Sequence, residues 1–334
     1  MALIDELYKE IVEDIIENGT QDEPSVVRAK WESDGSPATT VSLLDKQIKF
    51  DNSGDECGLM TTKFVAPKNP LKEILWIWQK KSNDVEVLEA MGCKVWSQWK
   101  IKEEGEWFNT IGKAYGYQLA NKKRRVVVDK LMLDMILNGE LSFAFDDMDN
   151  IKWFMDLDVM KKEELIGRTV EIDQVDWLLY NLKHPTKRYS RRLATTLWCV
   201  EDLDEMALEP CAYESRWYVK KDKHNRDRLN LIVKIRSNDM ALGNPYNIFQ
   251  YSILHRMIAQ VTGIQTGDIT FKIDDAHVYE RHIEGLKEQL ARPALPTATV
   301  TLNSNITSFY DFTLDDIVIL NYEYSGKSKY EVAV

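Results

Sequence analysis

The run Arg-Leu-Asn-Leu-Ile-Val-Lys-Ile-Arg-Ser-Asn-Asp-Met-Ala-Leu-Gly-Asn-Pro-Tyr-Asn, residues 228–247, decides how this chain folds. Leu229, Leu231, Val233 and Ile235 alternate with other residues, the period of a strand with one buried face. The strand ends at Arg236, and Gly243-Asn244-Pro245 marks a turn. Beyond it Tyr246, Phe249, Ile253, Met257 and Val261 recur at helical spacing, so a core helix runs on from Asn247. A strand, a turn and a buried helix in that order fix polar groups at a pocket edge. Just upstream, Glu-Pro-Cys-Ala-Tyr-Glu (209–214) carries a lone cysteine, Cys211. Downstream, Asp-Ala-His-Val-Tyr-Glu-Arg-His (275–282) adds further polar groups.

Working outward, residues 3–19 place Leu3, Tyr8, Ile11, Ile15 and Ile16 at helical spacing and stop at Asn18-Gly19. Residues 20–37 are polar and turn-rich. Residues 40–50 alternate as a strand closed by Asp51-Asn52-Ser53-Gly54. Residues 70–78 read as a helix opened by Pro70 in its first turn. That helix is apolar after Glu73 and is expected to be buried, which puts a carboxylate at its mouth. A further helix runs from Asp173 to about Leu182. Residues 122–170 differ in texture and read as an inserted, largely helical subdomain. Their opening Lys122-Lys123-Arg124-Arg125 is expected to be a solvated helix end or loop rather than a binding patch. No internal repeats or low-complexity segments are seen.

A chain of 334 residues can bury one large core or two modest ones, and 44% hydrophobic content with ten tryptophans argues for an ordered globular protein. A net charge of −11 argues against a general nucleic-acid binder, which needs clustered Lys and Arg. It is compatible with a local basic pocket for one small phosphate. The acidic, amphipathic start is no signal peptide, and no window approaches the roughly 18 uninterrupted apolar residues of a membrane span, so no membrane partner is expected. Cys57, Cys93, Cys199 and Cys211 are widely spaced with no CxxC or Cys/His pattern. The expectation is free thiols in a reducing cytoplasm and no metal.

An isolated cysteine is ordinarily a small buried hydrophobe, but Cys211 stands among residues that suit covalent chemistry on an anionic heterocycle. Arginines lower a thiol pKa and fit phosphate oxygens, which makes Arg236, with Ser237 beside it, and the pair Arg191-Arg192 candidates for both tasks. Asn247 offers a donor and an acceptor, enough to read the O4/N3–H edge of a uracil-like ring; its bland role is a helix N-cap. His277 and Tyr279, two apart on an extended segment, point the same way and can hydrogen-bond a sugar, or serve as satisfied structural groups. Trp96 and Trp99 are core or pocket wall, and a flat ligand would stack on them. Asp239 is either an exposed turn residue or a partner for a ring N–H.

These residues resemble thymidylate synthase, and most of all its branch from bacilli and their phages. The resemblance spans nearly the whole chain outside 122–170. It rests on Thr61-Thr62-Lys63, Glu73-Ile74-Leu75-Trp76, Val95-Trp96-Ser97-Gln98-Trp99, Ala114-Tyr115-Gly116, Ser190-Arg191-Arg192, Pro210-Cys211, Arg236-Ser237-Asn238-Asp239, Gly243-Asn244-Pro245-Tyr246-Asn247, His277-Val278-Tyr279 and Glu331-Val332-Ala333-Val334, in the family order. It implies an α/β (α+β) fold: a large, mostly antiparallel mixed sheet packed on helices, forming a single domain over 1–334 with the insertion at 122–170. It also implies a homodimer joined through the outer sheet face.

The activity it implies is reductive methylation of dUMP to dTMP, with 5,10-methylenetetrahydrofolate as co-substrate. Cys211 would add to C6, Glu73 would organise proton transfers, and Tyr115 would help remove the C5 proton. Asn247 would select uracil. Arg236 and Ser237 would hold the phosphate, joined by Arg191 and Arg192 from the second subunit, while His277 and Tyr279 would bind the sugar. Asp239, Leu242, Gly243, Tyr246, Trp96, Trp99 and the terminal Val334 would enclose the folate. Several positions depart from the family pattern. Ala212 follows the cysteine in place of histidine, a change this branch tolerates. Arg216 replaces a glutamine, with a charge expected near the pocket, and Ile235 replaces another glutamine. The arginine of the N-terminal phosphate loop is absent from Asp34-Gly35-Ser36-Pro37, which leaves Arg28 as the nearby substitute. Two alternatives stay open: a dUMP hydroxymethyltransferase on the same fold, and a non-catalytic nucleotide- or RNA-binding relative.

Overall fold

The computed structural model describes residues 2–142 and 163–333. Its strands are β1 (Thr20–Gln21), β2 (Thr40–Asp51), β3 (Arg124–Val127), β4 (Thr169–Ile172), β5 (Ala194–Thr196), β6 (Ala212–Lys221), β7 (Asp227–Ile235), β8 (Asn238–Asp239), β9 (Gln265–Tyr279), β10 (Thr299–Leu302) and β11 (Ile317–Leu320). Among the described residues the main sheet has seven strands, ordered β1-β2-β9-β7-β6-β5, with β8 added against β9. Most pairs are antiparallel, while β7 and β8 run parallel to β9. A parallel pair needs a crossover, because a tight hairpin cannot return the chain in the same direction. The helix Gly243–Thr262 is that crossover, and it carries the chain from β7 and β8 back to β9.

The alternation read from the sequence sets the sheet's two faces. Leu229, Leu231, Val233 and Ile235 are fully buried beneath the crossover helix, whereas Arg228, Asn230, Ile232 and Lys234 lie half-exposed on the outer face. The expected mixed, mostly antiparallel sheet packed on helices is the fold observed. The helix Lys68–Trp78 lies against the crossover helix, and buries Ile74, Leu75, Trp76, Ile77 and Trp78. Trp78 meets Trp217 of β6 edge-on at 6.2 Å and Tyr251 of the crossover helix at 6.3 Å.

The first helix, Leu3–Asn18, buries Ile4, Tyr8, Ile11, Val12 and Ile15. It ends where expected, at Gly19, which leaves the helix in an extended conformation and has no room for a side chain: one would lie 2.4 Å from the Ile15 carbonyl and 2.5 Å from Val41. The helix Gln174–Lys183 is capped by Asp173, whose carboxyl accepts from the N–H groups of Val175 and Asp176 at 2.9 Å each.

The 122–170 insertion has strands that its texture did not reveal. It opens and closes on a two-stranded ribbon, with Arg124 opposite Ile172 and Val127 opposite Thr169. A helix, Lys130–Leu137, follows the first strand, and the helical character expected over 143–162 lies outside the described residues. The basic run lies at the end of the helix Gly116–Asn121, with Lys122 as its C-cap and Arg124 and Arg125 exposed, and it also makes contacts that its sequence did not show. Lys122 pairs with Asp202 at 2.6 Å, and the Arg124 guanidinium lies 4.0 Å above the Trp177 ring. Both contacts tie the ribbon to the body of the domain.

One buried side chain, Asp5, organises the loop that leads toward the pocket. Its oxygens accept from the backbone N–H groups of Thr61 and Thr62, at 2.9 Å each, and from both hydroxyls, at 2.6 and 2.7 Å. Asp5→Ala leaves these donors buried and unpaired, and is expected to cost about 3 kcal/mol. Urea unfolding reads this as a lower midpoint at unchanged slope; a midpoint equal to wild type would mean the loop holds itself.

Candidate active site

Cys211 immediately precedes β6, and three features hold it there. The backbone N–H of Arg236, at the end of β7, donates to the Cys211 carbonyl at 2.9 Å. The Arg236 guanidinium donates to the carbonyls of Pro210 at 3.2 Å and Glu209 at 2.9 Å, and so grips the segment from beneath. The Tyr115 hydroxyl accepts the Cys211 N–H at 3.1 Å and lies close enough to the thiol to lower its pKa. Burial pushes the Cys211 thiol up, while Arg236 and the Tyr115 hydrogen bond pull it down; burial wins. The resting nucleophile is therefore a thiol, which must lose its proton as it attacks.

Tyr115 itself stands in a strained backbone conformation, φ 47° and ψ −105°. Gly116 makes that conformation possible, because a side chain there would lie 2.2 Å from the Ser82 carbonyl oxygen. The Tyr115 hydroxyl is pushed well above its usual pKa, first by burial and then by the neighbouring Cys211.

Glu73 lies in the helix Lys68–Trp78, facing the crossover helix. The Trp96 indole N–H donates to one carboxyl oxygen at 2.7 Å, and the Gln250 amide donates to the other. Burial raises the carboxyl to about 7 against these two bonds, which lower it. A carboxyl that titrates near neutrality is suited to both giving and taking protons. Gln250 in turn accepts from the Asn247 amide at 3.4 Å, Asn247 accepts from Asn238 at 3.1 Å, and Asn238 accepts from Asn244 at 2.6 Å. Trp96 also sets its ring 4.9 Å from Tyr115 and 5.5 Å from Trp99. One aromatic cluster thus connects Glu73 with the residue that holds Cys211.

Around this centre, Asp239 bridges to His277 across β8 and β9. Its carboxyl accepts from the N–H groups of Ala241 at 2.8 Å and Leu242 at 3.3 Å, which shapes the turn into Gly243. His277 is held by Asp275 at 2.9 Å, and its ring stands 5.5 Å from Tyr279. Tyr246 lies near Glu73 and Asn69. Ser237 sits in the turn between β7 and β8, next to Arg236. The sequence candidates therefore gather at one end of the sheet, with exceptions. Arg191 and Arg192 are exposed, and neither forms an ion pair among the described residues. Val334 lies outside the described residues.

Two expectations change. Arg216 does not enter the pocket. Strand alternation turns it to the outer face of β6, where Glu214 binds it at 2.7 and 3.1 Å and neutralises it. Arg28 is exposed and makes no ion pair among the described residues, and the arginine that reaches the Asp34–Pro37 loop is Arg281. Arg281 bonds Asp34 at 2.6 Å and Ser36 at 2.7 Å, and contacts Glu331 of the tail at 3.4 Å. The tail is laid down beside it, with Ala333 bridged to Trp31 and His282 bonded to the Glu331 carbonyl at 2.9 Å. Gln250 was missed because it falls within the apolar stripe of the crossover helix. Its signal was a polar residue one turn beyond Asn247. Lys63 was missed too: it is buried with its amine on the Ala241 carbonyl, and burial lowers its pKa to about 8. Among the described residues, no group of His, Cys, Asp or Glu gathers as a metal site.

A sequence profile for the family described as "Thymidylate synthase" matches residues 6–334. The chain is 46% identical, over the full length of both proteins, to thymidylate synthase of Bacillus mojavensis and to that of Bacillus phage phi3T. It is also similar to the solved structure of thermostable thymidylate synthase A from Bacillus subtilis. The TM-score is 0.78 and the identity 44%, covering 99% of each chain.

A raised thiol pKa predicts slow alkylation of Cys211. Iodoacetamide at pH 8 is expected to label it more slowly than a free cysteine, at a rate still rising above pH 9, read by peptide mass spectrometry. A rate already level by pH 8 would contradict the burial-dominated balance.

Proposed function

The chain belongs to the thymidylate synthase family, a methyltransferase of dTMP biosynthesis, and from that premise we propose how its own residues carry the reaction. The family's co-substrate is 5,10-methylenetetrahydrofolate, which supplies both the carbon and the hydride. Cys211 attacks C6 of dUMP and forms an S–C6 bond, and the displaced electron pair makes C5 a carbon nucleophile. The thiol gives its proton to solvent as it adds, and Arg236 and the Tyr115 hydroxyl, which both lower its pKa, stabilise the developing thiolate. A C5–CH2 bond then forms to the folate methylene carbon as one of that carbon's two C–N bonds breaks, and the second C–N bond breaks when the folate departs. Tyr115 helps take the C5 proton, the tetrahydrofolate leaves, and its hydride completes the methyl group as Cys211 departs. The products are dTMP and dihydrofolate.

Glu73 moves protons at the O4 side of the ring, a task suited to a carboxyl near neutrality. Asn247 reads the uracil edge, His277 and Tyr279 bind the deoxyribose, and Arg236 and Ser237 hold the phosphate. Arg191 and Arg192 complete the phosphate site across a homodimer interface, and their exposure without internal ion pairs supports that role. The half-exposed outer sheet face, with Tyr213, Tyr218 and Ile232, supports pairing of two copies there. Trp96, Trp99, Asp239, Leu242, Gly243 and Tyr246 line the folate side, and closure of the tail through Val334 excludes water. Residues 1–334 act as one domain carrying the 122–170 insertion. Four free cysteines support a cytoplasmic setting. A dUMP hydroxymethyltransferase is not favoured, since the full-length relatives are named thymidylate synthases.

The observation that carries this reading is Cys211 held between Arg236 and the Tyr115 hydroxyl. With 5-fluoro-dUMP and the folate, mass spectrometry is expected to find a covalent adduct on the Cys211 peptide. Cys211→Ser is expected to lose activity at least about a thousandfold. No adduct, or a serine variant at full rate, would refute the covalent route.

A further inference from the structure

Gln250 has no role in the reading above, yet among the described residues it is the one side chain that hydrogen-bonds both Glu73 and Asn247. We propose that Gln250 is a positioning residue that couples the ionisation of Glu73 to the orientation of the Asn247 amide, so that the site reads uracil only while Glu73 is a carboxylate. The inference rests on Asn247 as the pyrimidine reader.

The chemistry of the chain's ends dictates its direction. An ionised carboxylate only accepts, and an indole N–H only donates. With Trp96 donating to one oxygen of Glu73, Gln250 must turn its NH2 group toward the other. Its carbonyl then faces Asn247, which must offer its own NH2 group, leaving the Asn247 carbonyl to accept from Asn238. Asn238 accepts from Asn244, whose own carbonyl is buried without a partner. Every donor therefore points toward Glu73, and the far end holds one spare acceptor.

Protonation of Glu73 on the oxygen facing Gln250 creates a donor there. Gln250 must then present its carbonyl, and the amides beyond it reverse in turn. Reversal exchanges the spare acceptor at Asn244 for a spare donor, so little changes at that end and the proton on Glu73 decides the direction. An amide's two ends are alike in shape, so hydrogen-bond partners determine which way it faces. The two directions show the ring opposite patterns. Uracil offers an acceptor at O4 and a donor at N3, whereas cytosine offers a donor at N4 and an acceptor at N3. The groups around Glu73 are Cys93, Tyr115, Tyr246 and Tyr251, all pushed upward by burial and neutral near pH 7. No cation contributes to the shift of Glu73.

The test is calorimetric binding of dUMP and dCMP between pH 6 and 8.5. The phosphate is common to both, so its titration cancels in the affinity ratio. For the wild-type protein the preference for dUMP is expected to fall at least fivefold as the pH drops across this range. Gln250→Met keeps the length and removes the amide. It is expected to show a preference about tenfold weaker at pH 8.5 that no longer varies with pH. The acid limb of its kcat/KM profile should move up by about one unit, since Glu73 loses a donor. A folded variant with the wild-type ratio and pH dependence would overturn the coupling. If the variant does not fold, a wild-type ratio that is flat with pH overturns it alone. Wild-type protein that neither binds nor converts dUMP would sink the functional reading and this inference together; turnover with a flat ratio sinks only this one.

Discussion

The helix Lys68–Trp78 is so apolar in its second half that it must be buried, and burial carries Glu73 out of water with it. A carboxyl in that position needs donors, or it must stay protonated. The Trp96 indole and the Gln250 amide meet this need, and their positions constrain much else. Trp96 must stand beside the middle of the helix, and there its ring lies against Tyr115. Tyr115 must then hold its strained backbone, and its hydroxyl takes the N–H of Cys211. On the other side, Gln250 fixes how the crossover helix faces Glu73, and so where Asn247 stands. Nucleophile and pyrimidine reader are both placed relative to one buried acid.

The topology explains why these groups meet. The parallel pairing of β7 with β9 requires a crossover; β8 sets Asn238 and Asp239 against β9, and the first turn of the crossover helix then carries Gly243 and Asn247. Arg236 ends β7 beside Cys211, just before β6, so the antiparallel pair sets thiol and guanidinium side by side. His277 and Tyr279 reach the same edge from β9. The polar groups stand on strand ends and a helix start, positions that backbone hydrogen bonds make rigid.

Much of this was legible in the sequence, for reasons that also explain the misses. The alternation of Leu229 to Ile235 and the helical stripe from Tyr246 to Val261 yielded the strand, crossover and buried face directly. The motif residues were readable because each chemical type stood in a recognisable order. Gln250 was hidden because helical periodicity assigns it to the core, and only the tertiary approach of Glu73 shows what it does there. Arg216 looked like a pocket residue when counted from Cys211, but the β-bulge between Ala212 and Glu214 and the strand alternation turn it outward. Arg281 belongs to a loop contact between segments far apart in sequence, which no local pattern encodes. The ribbon of β3 and β4 escaped because its strands are four residues each and more than forty residues apart.

The account turns on a Glu73 carboxyl that burial raises to about 7 while two donors hold it in place. Infrared difference titration of the wild-type protein against Glu73→Gln observes that carboxyl alone. The prediction is a protonated C=O band at pH 6 that disappears as the pH rises through about 7. A carboxyl already fully ionised at pH 5 would contradict it.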